Sequence, residues 1–218
     1  MSDESLFREV DEEVRQEQFK KLWVRYGNAV IGLAILLIVA VAGYQGWRYW
    51  QQKQSESAGD SFFAAAELAA VDKADEALKA FATIDKTGFA ELAKLREAAI
   101  LAGDGKIEEA VKIYDSLAAS PAADQSLRDL AKMRAALVLA DKASLADIEQ
   151  RLKELVGPDS PWRHVAREIM ASVQFRLKDY KGADQQVQAI LGDPSSPAAL
   201  SQRAQTMSQL LKPLLAAP

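Results

Sequence analysis

Few residues of this 218-residue chain have the types and spacing that catalysis requires. The only histidine, His164, stands in the segment SPWRHVAR, and a single imidazole cannot form a two-histidine metal site. Its place near a predicted helix start favours a surface or packing role. The absence of cysteine excludes disulfides, thiolate nucleophiles and cysteine-bound metals. The chain has neither a G-x-x-x-x-G-K-[ST] phosphate loop nor a G-x-S-x-G nucleophile elbow.

Acidic residues recur along predicted helices rather than in pairs that face a cleft. Glu108, Glu109 and Asp115 fit solvated helix faces better than a general acid–base pair, and DGKIEE lacks the ligand spacing of a calcium loop. We therefore expect no enzyme, no cofactor, no metal site and no small-molecule substrate. Nucleic acid is excluded as a partner because it requires a concentrated basic face, whereas this chain disperses its basic residues and has a net charge of −4.

The strongest physical signal is the uncharged stretch between Arg25 and Arg48. As a helix, residues 26–47 would be about 33 Å long, and the hydrocarbon core of a bilayer is about 30 Å thick. Aromatic residues flank both ends, as in a transmembrane helix whose rings lie at the membrane interfaces; a helix buried in a soluble core has no reason for this. The predicted membrane-anchor residues are Trp23, Tyr26, Tyr44, Trp47, Arg48, Tyr49 and Trp50.

Cleavage of this segment is the alternative to a permanent anchor. The residues AVA at 40–42 resemble a signal-peptidase site, but the preceding region is long, acidic and highly charged, whereas the start of a signal peptide is short and basic. We therefore predict an uncleaved, single-pass anchor. Basic residues are more frequent just before the span than just after it, which favours a cytoplasmic N-terminal segment at 1–25 and a periplasmic C-terminal part in a bacterial cell.

Beyond the span, residues 55–218 are rich in good helix formers and show no strand-like alternation, which predicts helices joined by short polar turns. Four columns of apolar residues repeat four times, with successive repeats offset by 33, 38 and 35 residues. The two mostly small columns are Ala65, Ala98, Ala136 and Ala171, then Ala77, Ala110, Ile148 and Ala183. The two large columns are Phe81, Tyr114, Leu152 and Val187, then Ile84, Leu117, Leu155 and Ile190.

This period is close to that of the tetratricopeptide repeat, which is about 34 residues. The segments KIEEAVKIYDSL and KDYKGADQQVQAIL resemble the second helix of that repeat. The match is degenerate, because Lys94, Lys132 and Arg167 stand where the signature has Trp, and Ile148 interrupts an Ala column. The alternative is a helical bundle that is not built from repeats.

We predict an all-α fold with a transmembrane helix at 26–47 and a juxtamembrane stalk at 48–60. A tetratricopeptide-like solenoid of about four helix pairs then occupies 61–212. It ends in a capping helix from about Ala198 to Leu211, and a frayed tail follows at 213–218.

The order of these elements resembles the YfgM-type family of bacterial inner-membrane proteins, ancillary subunits of the SecYEG translocon. The most specific similarities are GWRYW directly after the span, ASVQFRLKDYKGA in the last repeat and PAALSQRAQTMSQLL near the end. The resemblance implies a cytoplasmic N-terminus and a periplasmic repeat domain. It also implies association with the SecYEG translocon and with periplasmic chaperones. The resemblance assigns no catalytic residues to this chain.

Partner binding would use the first helix of each pair, which lines the concave face of a stacked helical array. Apolar residues on this face could form a groove for an apolar peptide, and the core between repeats is the alternative explanation. The candidate groove residues are Phe62, Leu95, Met133 and Phe175. The predicted function is a scaffold that links the translocon to chaperones; the alternative is a scaffold for another cell-envelope complex, in division or envelope assembly.

Overall fold

The computed structural model describes residues 3–85 and 88–216, and the side chains of 3–19, 21 and 22 lie outside the description. The described chain is all-α, without a strand. Two compact units divide it, Met1–Glu56 and Ser57–Pro218. The helices are α1 (Asp3–Ala70), α2 (Ala74–Ala82), α3 (Gly88–Gly103), α4 (Ile107–Ala118), α5 (Gln125–Leu139), α6 (Leu145–Leu152), α7 (Arg163–Arg176), α8 (Tyr180–Leu191) and α9 (Ala198–Leu215).

The first unit consists of α1 as far as Glu56. Between Trp23 and Ala70 this helix is long and apolar enough to cross a membrane, with a mean hydropathy of 2.2 in its most apolar window. Only 6% of that window is buried inside the structure. Because a helix that is apolar on all sides has to be covered by something, this stretch is a candidate membrane span. The predicted span at 26–47 and the predicted stalk at 48–60 are both helical parts of α1.

The second unit stacks helix pairs. The last turns of α1 pair with α2, followed by the pairs α3–α4, α5–α6 and α7–α8, and α9 packs on α8 and α7. Phe62 of α1 joins the first pair to the second, with ring centroids 5.5 Å from Phe81 of α2 and 5.6 Å from Phe89 of α3. The prediction of four helix pairs and a capping helix is confirmed.

The four repeat columns form the core of this unit. All sixteen residues are at most 8% exposed, and they fall into four clusters that follow one another along the stack. The small residues allow paired helices to approach closely, and the large residues fill the space towards the next pair. The spacing in the sequence is therefore a packing pattern.

Three of the four turns inside the pairs share one backbone conformation. The residue seven positions after the small column has a positive φ: 63° at Asp72, 77° at Gly105 and 63° at Lys178. The next N–H then bonds a carbonyl five residues back, which closes the helix end as a Schellman-type cap. These bonds are Lys73 N to Leu68 O at 3.0 Å, Lys106 N to Leu101 O at 2.9 Å and Asp179 N to Gln174 O at 2.9 Å.

The third pair, α5–α6, has a different turn. Its equivalent residue, Ala143, does not have a positive φ. Ser144 instead caps α6 by accepting a hydrogen bond from the Asp147 N–H at 3.2 Å. At eight residues, α6 is also the shortest helix described. This pair therefore departs from the other three in both its turn and its length.

The last helix is longer than the sequence suggests. α9 continues through Pro213 to Leu215, into the segment predicted as a frayed tail, while Ala217 and Pro218 lie outside the described residues. Proline removes the hydrogen bond to the carbonyl four residues earlier. Here that carbonyl belongs to the exposed Gln209, where water can replace the lost donor. The helix is therefore able to continue through Pro213.

Candidate functional site

The four predicted groove residues lie in four different core clusters. Phe62 packs in the first, Leu95 beside the second, Met133 inside the third and Phe175 beside the fourth, where its ring is 5.7 Å from that of Tyr180. None of the four is a lining residue of three grooves that the described residues form on the repeat unit. Their packing favours the core alternative, and their role in a partner groove stays a prediction.

A more suitable binding surface lies at the end of the stack, between α7, α8 and α9. This C-terminal groove has a volume of about 300 Å³ and is mainly apolar. Ala171, Val187 and Ile190 form its floor, and α9 supplies a wall of small and flexible apolar residues. The wall residues are Ala204, Met207 and Leu210.

One ion pair forms the rim of the C-terminal groove. Arg203 of α9 binds Glu168 of α7 with two parallel hydrogen bonds, Nε to Oε1 at 2.5 Å and Nη2 to Oε2 at 2.8 Å. Hydrogen bonding to Glu168 raises the pKa of Arg203. Glu168 occupies the same repeat position as Phe62, Leu95 and Met133. The groove therefore opens at the repeat position for which the sequence analysis left both a partner groove and the core open.

The C-terminal groove can accept an apolar side chain or one face of a partner helix. Leu210 is 55% exposed, so about half of its surface is left uncovered by the described chain. Met207 adds an unbranched, adaptable side chain of the kind used at promiscuous binding surfaces. The sequence analysis missed this wall, although Met207, Leu210 and Leu214 recur at helical spacing on the same side of α9 as the buried Leu200 and Leu211; the width of that apolar face was the available signal.

His164 has a structural position. It is only 4% exposed, and its Nε2 lies 2.9 Å from Asp193 Oδ2. Arg163 donates from Nε to the same carboxylate oxygen at 2.8 Å. These contacts tie the start of α7 to the turn between α8 and α9. Among the side chains that the structure describes, no group of three or more His, Asp or Glu residues could hold a metal ion.

The predicted membrane-anchor residues lie on the surface of α1. The six aromatic members are between 51% and 65% exposed. Trp47 and Trp50 are in contact, with ring centroids 5.5 Å apart, and the Arg48 guanidinium lies 5.9 Å from the ring centroid of Tyr44. A basic group beside aromatic rings suits the interface between lipid and water. The anchoring role of these residues stays a prediction.

Comparison with known families gives one finding. A family model described as a tetratricopeptide repeat-like domain matches residues 20–159, which is more than half of the chain. The match covers the candidate span and the first three helix pairs and stops before α7, so the C-terminal groove lies outside it. Comparison with curated proteins gives no match.

Proposed function

Because the chain belongs to the tetratricopeptide repeat-like domain family, which generally serves protein–protein interaction, we propose that it is a membrane-anchored scaffold for other proteins. The observation that carries this proposal is the presence of a candidate span and a stacked repeat unit in one chain. The span tethers the repeat unit to the membrane. Tethering raises its effective concentration for membrane partners without any new contact.

The proposed membrane partner is the SecYEG translocon, and the proposed soluble partners are periplasmic chaperones that receive emerging chains. The support is the resemblance of the segments GWRYW, ASVQFRLKDYKGA and PAALSQRAQTMSQLL to the YfgM-type family. The excess of basic residues before the span supports a cytoplasmic segment at 1–25 and a periplasmic repeat domain at 61–212. Residues 26–47, with the aromatic residues Tyr49 and Trp50 that follow, would contact the translocon and lipid.

The C-terminal groove is the proposed contact for the soluble partner. It combines an apolar floor with the Glu168–Arg203 ion pair at its rim, a combination that favours an apolar anchor residue flanked by polar groups. The mechanism is geometric rather than chemical. One end of the chain fixes the location, and the other end holds a protein that acts on the secreted chain.

Site-specific photo-crosslinking in native bacterial membranes tests both contacts. A photoreactive phenylalanine analogue replaces Trp47 in one variant and Leu210 in another, and mass spectrometry identifies the crosslinked proteins. We expect translocon subunits from position 47 and periplasmic chaperones from position 210. The matched control places the analogue at Lys112, an exposed residue of α4 outside the three grooves.

Different results would redirect the proposal. If position 47 crosslinks to division or envelope-assembly proteins in place of translocon subunits, the chain is a scaffold of another cell-envelope complex. The same chaperones at positions 112 and 210 would mean that the C-terminal groove is not their binding site. A mature protein that begins after Ala42 would show that the span is removed, which contradicts a permanent anchor.

A further inference from the structure

The third helix pair carries a second, chemically different groove. Two sequence departures from the repeat lie in the same helix pair. Ile148 stands where the other pairs have Ala77, Ala110 and Ala183, and it is fully buried. Isoleucine takes up more of the space between the two helices than alanine does at this position. Lys132, which like Lys94 and Arg167 stands where the repeat signature carries Trp, lines the groove with a flexible, charged side chain.

This space is the α5–α6 groove, which runs between α5, α6 and the turn that joins them. Its volume is about 720 Å³, within the range of about 300–1,000 Å³ that is usual for ligand sites. Leu139 and Ala143 supply its apolar surface. Basic and acidic side chains from α5, the turn and α6 surround that surface.

The charges around the α5–α6 groove are unequally satisfied. Its two carboxylates already have partners, because Glu154 accepts from Lys132 Nζ at 2.6 Å and Asp147 accepts from Ser144 Oγ at 2.6 Å. Arg151 is engaged as well, by Asp115 of α4, with Nη2 to Oδ2 at 3.1 Å. The cations that remain are on the turn and just after α6.

These remaining cations are Lys142 and Lys153. Both are exposed, and neither has a partner within 4 Å among the ion pairs of the described residues. The hydrogen bond and charge of Lys132 lower the pKa of Glu154, and the charge of Lys153 adds only a smaller contribution. The groove therefore presents an apolar strip between cations that are still able to bind an anion. Its complement is a ligand that carries carboxylates on either side of an apolar group.

We propose that the α5–α6 groove binds an acidic, extended segment of a partner protein. An apolar side chain of that segment lies on Leu139 and Ala143, and its carboxylates pair with Lys142 and Lys153. This gives the scaffold two binding surfaces of different chemistry, the apolar C-terminal groove and this cationic one. The proposal goes beyond the translocon assignment and stands without it.

A peptide-binding experiment on the full-length protein in dodecyl maltoside tests the proposal. The probes are a fluorescein-labelled acidic octapeptide, DELEDLED, and its uncharged counterpart, NQLQNLQN, measured by fluorescence anisotropy at low salt. We expect the acidic peptide to bind about tenfold more tightly, and the advantage to shrink as salt screens the exposed charges. The double variant Lys142→Glu, Lys153→Glu should lose that tenfold advantage.

The control is the double variant Lys112→Glu, Lys181→Glu, which makes the same change in net charge at exposed positions outside the three grooves. It should retain the preference for the acidic peptide. Helical circular dichroism verifies that both double variants are folded. Equal affinity for the two peptides, or equal losses in the two variants, would overturn the proposal. Displacement of the peptide by phosphatidylglycerol nanodiscs but not by phosphatidylcholine nanodiscs would assign the groove to lipid headgroups instead.

Discussion

The candidate span and the repeat unit use apolar residues in opposite ways. Along α1 from Val30 to Val41, the large apolar side chains are 48–68% exposed, and almost nothing in the described chain covers them. Beyond Ser57, sixteen apolar positions repeat in four columns and are at most 8% exposed. The first region needs a covering from outside the chain, whereas the second covers itself by stacking.

This difference teaches that one substitution acts on different properties in the two regions. In the repeat unit, truncation of an apolar side chain leaves a cavity and lowers the free energy of unfolding. In the span, the same truncation changes the contact with lipid or a membrane partner and leaves the repeat core intact. Pairs of identical substitutions, one in each region, therefore test the division directly.

The largest effect is expected from Tyr114→Ala. Tyr114 is 1% exposed in the second core cluster, and many of its neighbours there are alanines that cannot expand to fill the space. The variant should lose about 3–5 kcal/mol of the free energy of unfolding of the repeat unit, as is typical when a buried aromatic side chain is removed. Urea unfolding of the full-length protein in detergent, followed by circular dichroism at 222 nm, measures the change.

The matched variant is Tyr49→Ala, in a residue that is 65% exposed. Its free energy of unfolding should stay within about 0.5 kcal/mol of the wild-type value, as for surface substitutions in general. A loss as large as that of Tyr114→Ala would break the comparison, because it would mean that the segment around Tyr49 belongs to the same folding unit as the repeat core.

A smaller effect is expected from Gly182→Ala. A Cβ at Gly182 would lie 2.2 Å from Asp179 Oδ2 and 2.5 Å from Gln174 Nε2. Asp179 caps α8 by accepting from the Gly182 N–H at 3.0 Å, and Gln174 is buried, so neither can move without cost. We expect a loss of about 1–3 kcal/mol in the free energy of unfolding, measured in the same way.

Gly43→Ala is the counterpart in the candidate span. A Cβ there meets nothing within 4 Å, so the repeat unit should unfold at an unchanged urea concentration. Extraction from native membranes adds a second readout, since a partner helix packed on Gly43 would be displaced by the added methyl group. Loss of co-purified membrane proteins with unchanged unfolding would sharpen the comparison by locating a partner on the span.

Much of the repeat unit could be predicted because its sequence pattern is a packing pattern. Ala65, Ala98, Ala136 and Ala171 can recur at one position only if a second helix approaches there, and the structure buries all four. The departure at Ile148 was also visible. The groove in the same helix pair was not, because a space between two helices depends on how they pack and not on one residue.

The candidate sites were harder to predict because grooves form between elements that are distant in sequence. The C-terminal groove depends on the ion pair between Glu168 of α7 and Arg203 of α9, and no local pattern relates these two residues. The predicted groove residue Met133 illustrates the same limit. Its position on the first helix of a pair fits either a groove or a core, and packing with Ile148 and Leu152 in one cluster favours the core.

The smallest effect on stability is expected from lowering the pH, and it should act on the repeat unit but not on the span. Residues 26–47 carry no charged side chain, whereas the repeat unit contains Asp193. Hydrogen bonds from Arg163 and then Ser195 hold the pKa of Asp193 well below its usual range, with a smaller contribution from His164. The stabilisation from Asp193 is therefore complete above the pKa of an unfolded aspartate, about 4, and is lost as the pH falls towards the lower pKa of the folded state.

The variant Asp193→Asn isolates this contribution. It should melt a few degrees below the wild type at neutral pH, and the two melting temperatures should converge as the pH is lowered through the acid range. Thermal unfolding at several pH values, followed by circular dichroism, measures the difference, and Asp141→Asn, at an exposed residue with no ion pair among those described, is the control. If the difference between Asp193→Asn and wild type stays constant with pH, the negative charge of Asp193 does not contribute to stability. The loss in the variant would then come from hydrogen bonds that the asparagine amide cannot form at any pH. The pH dependence of stability would then no longer distinguish the repeat unit from the span.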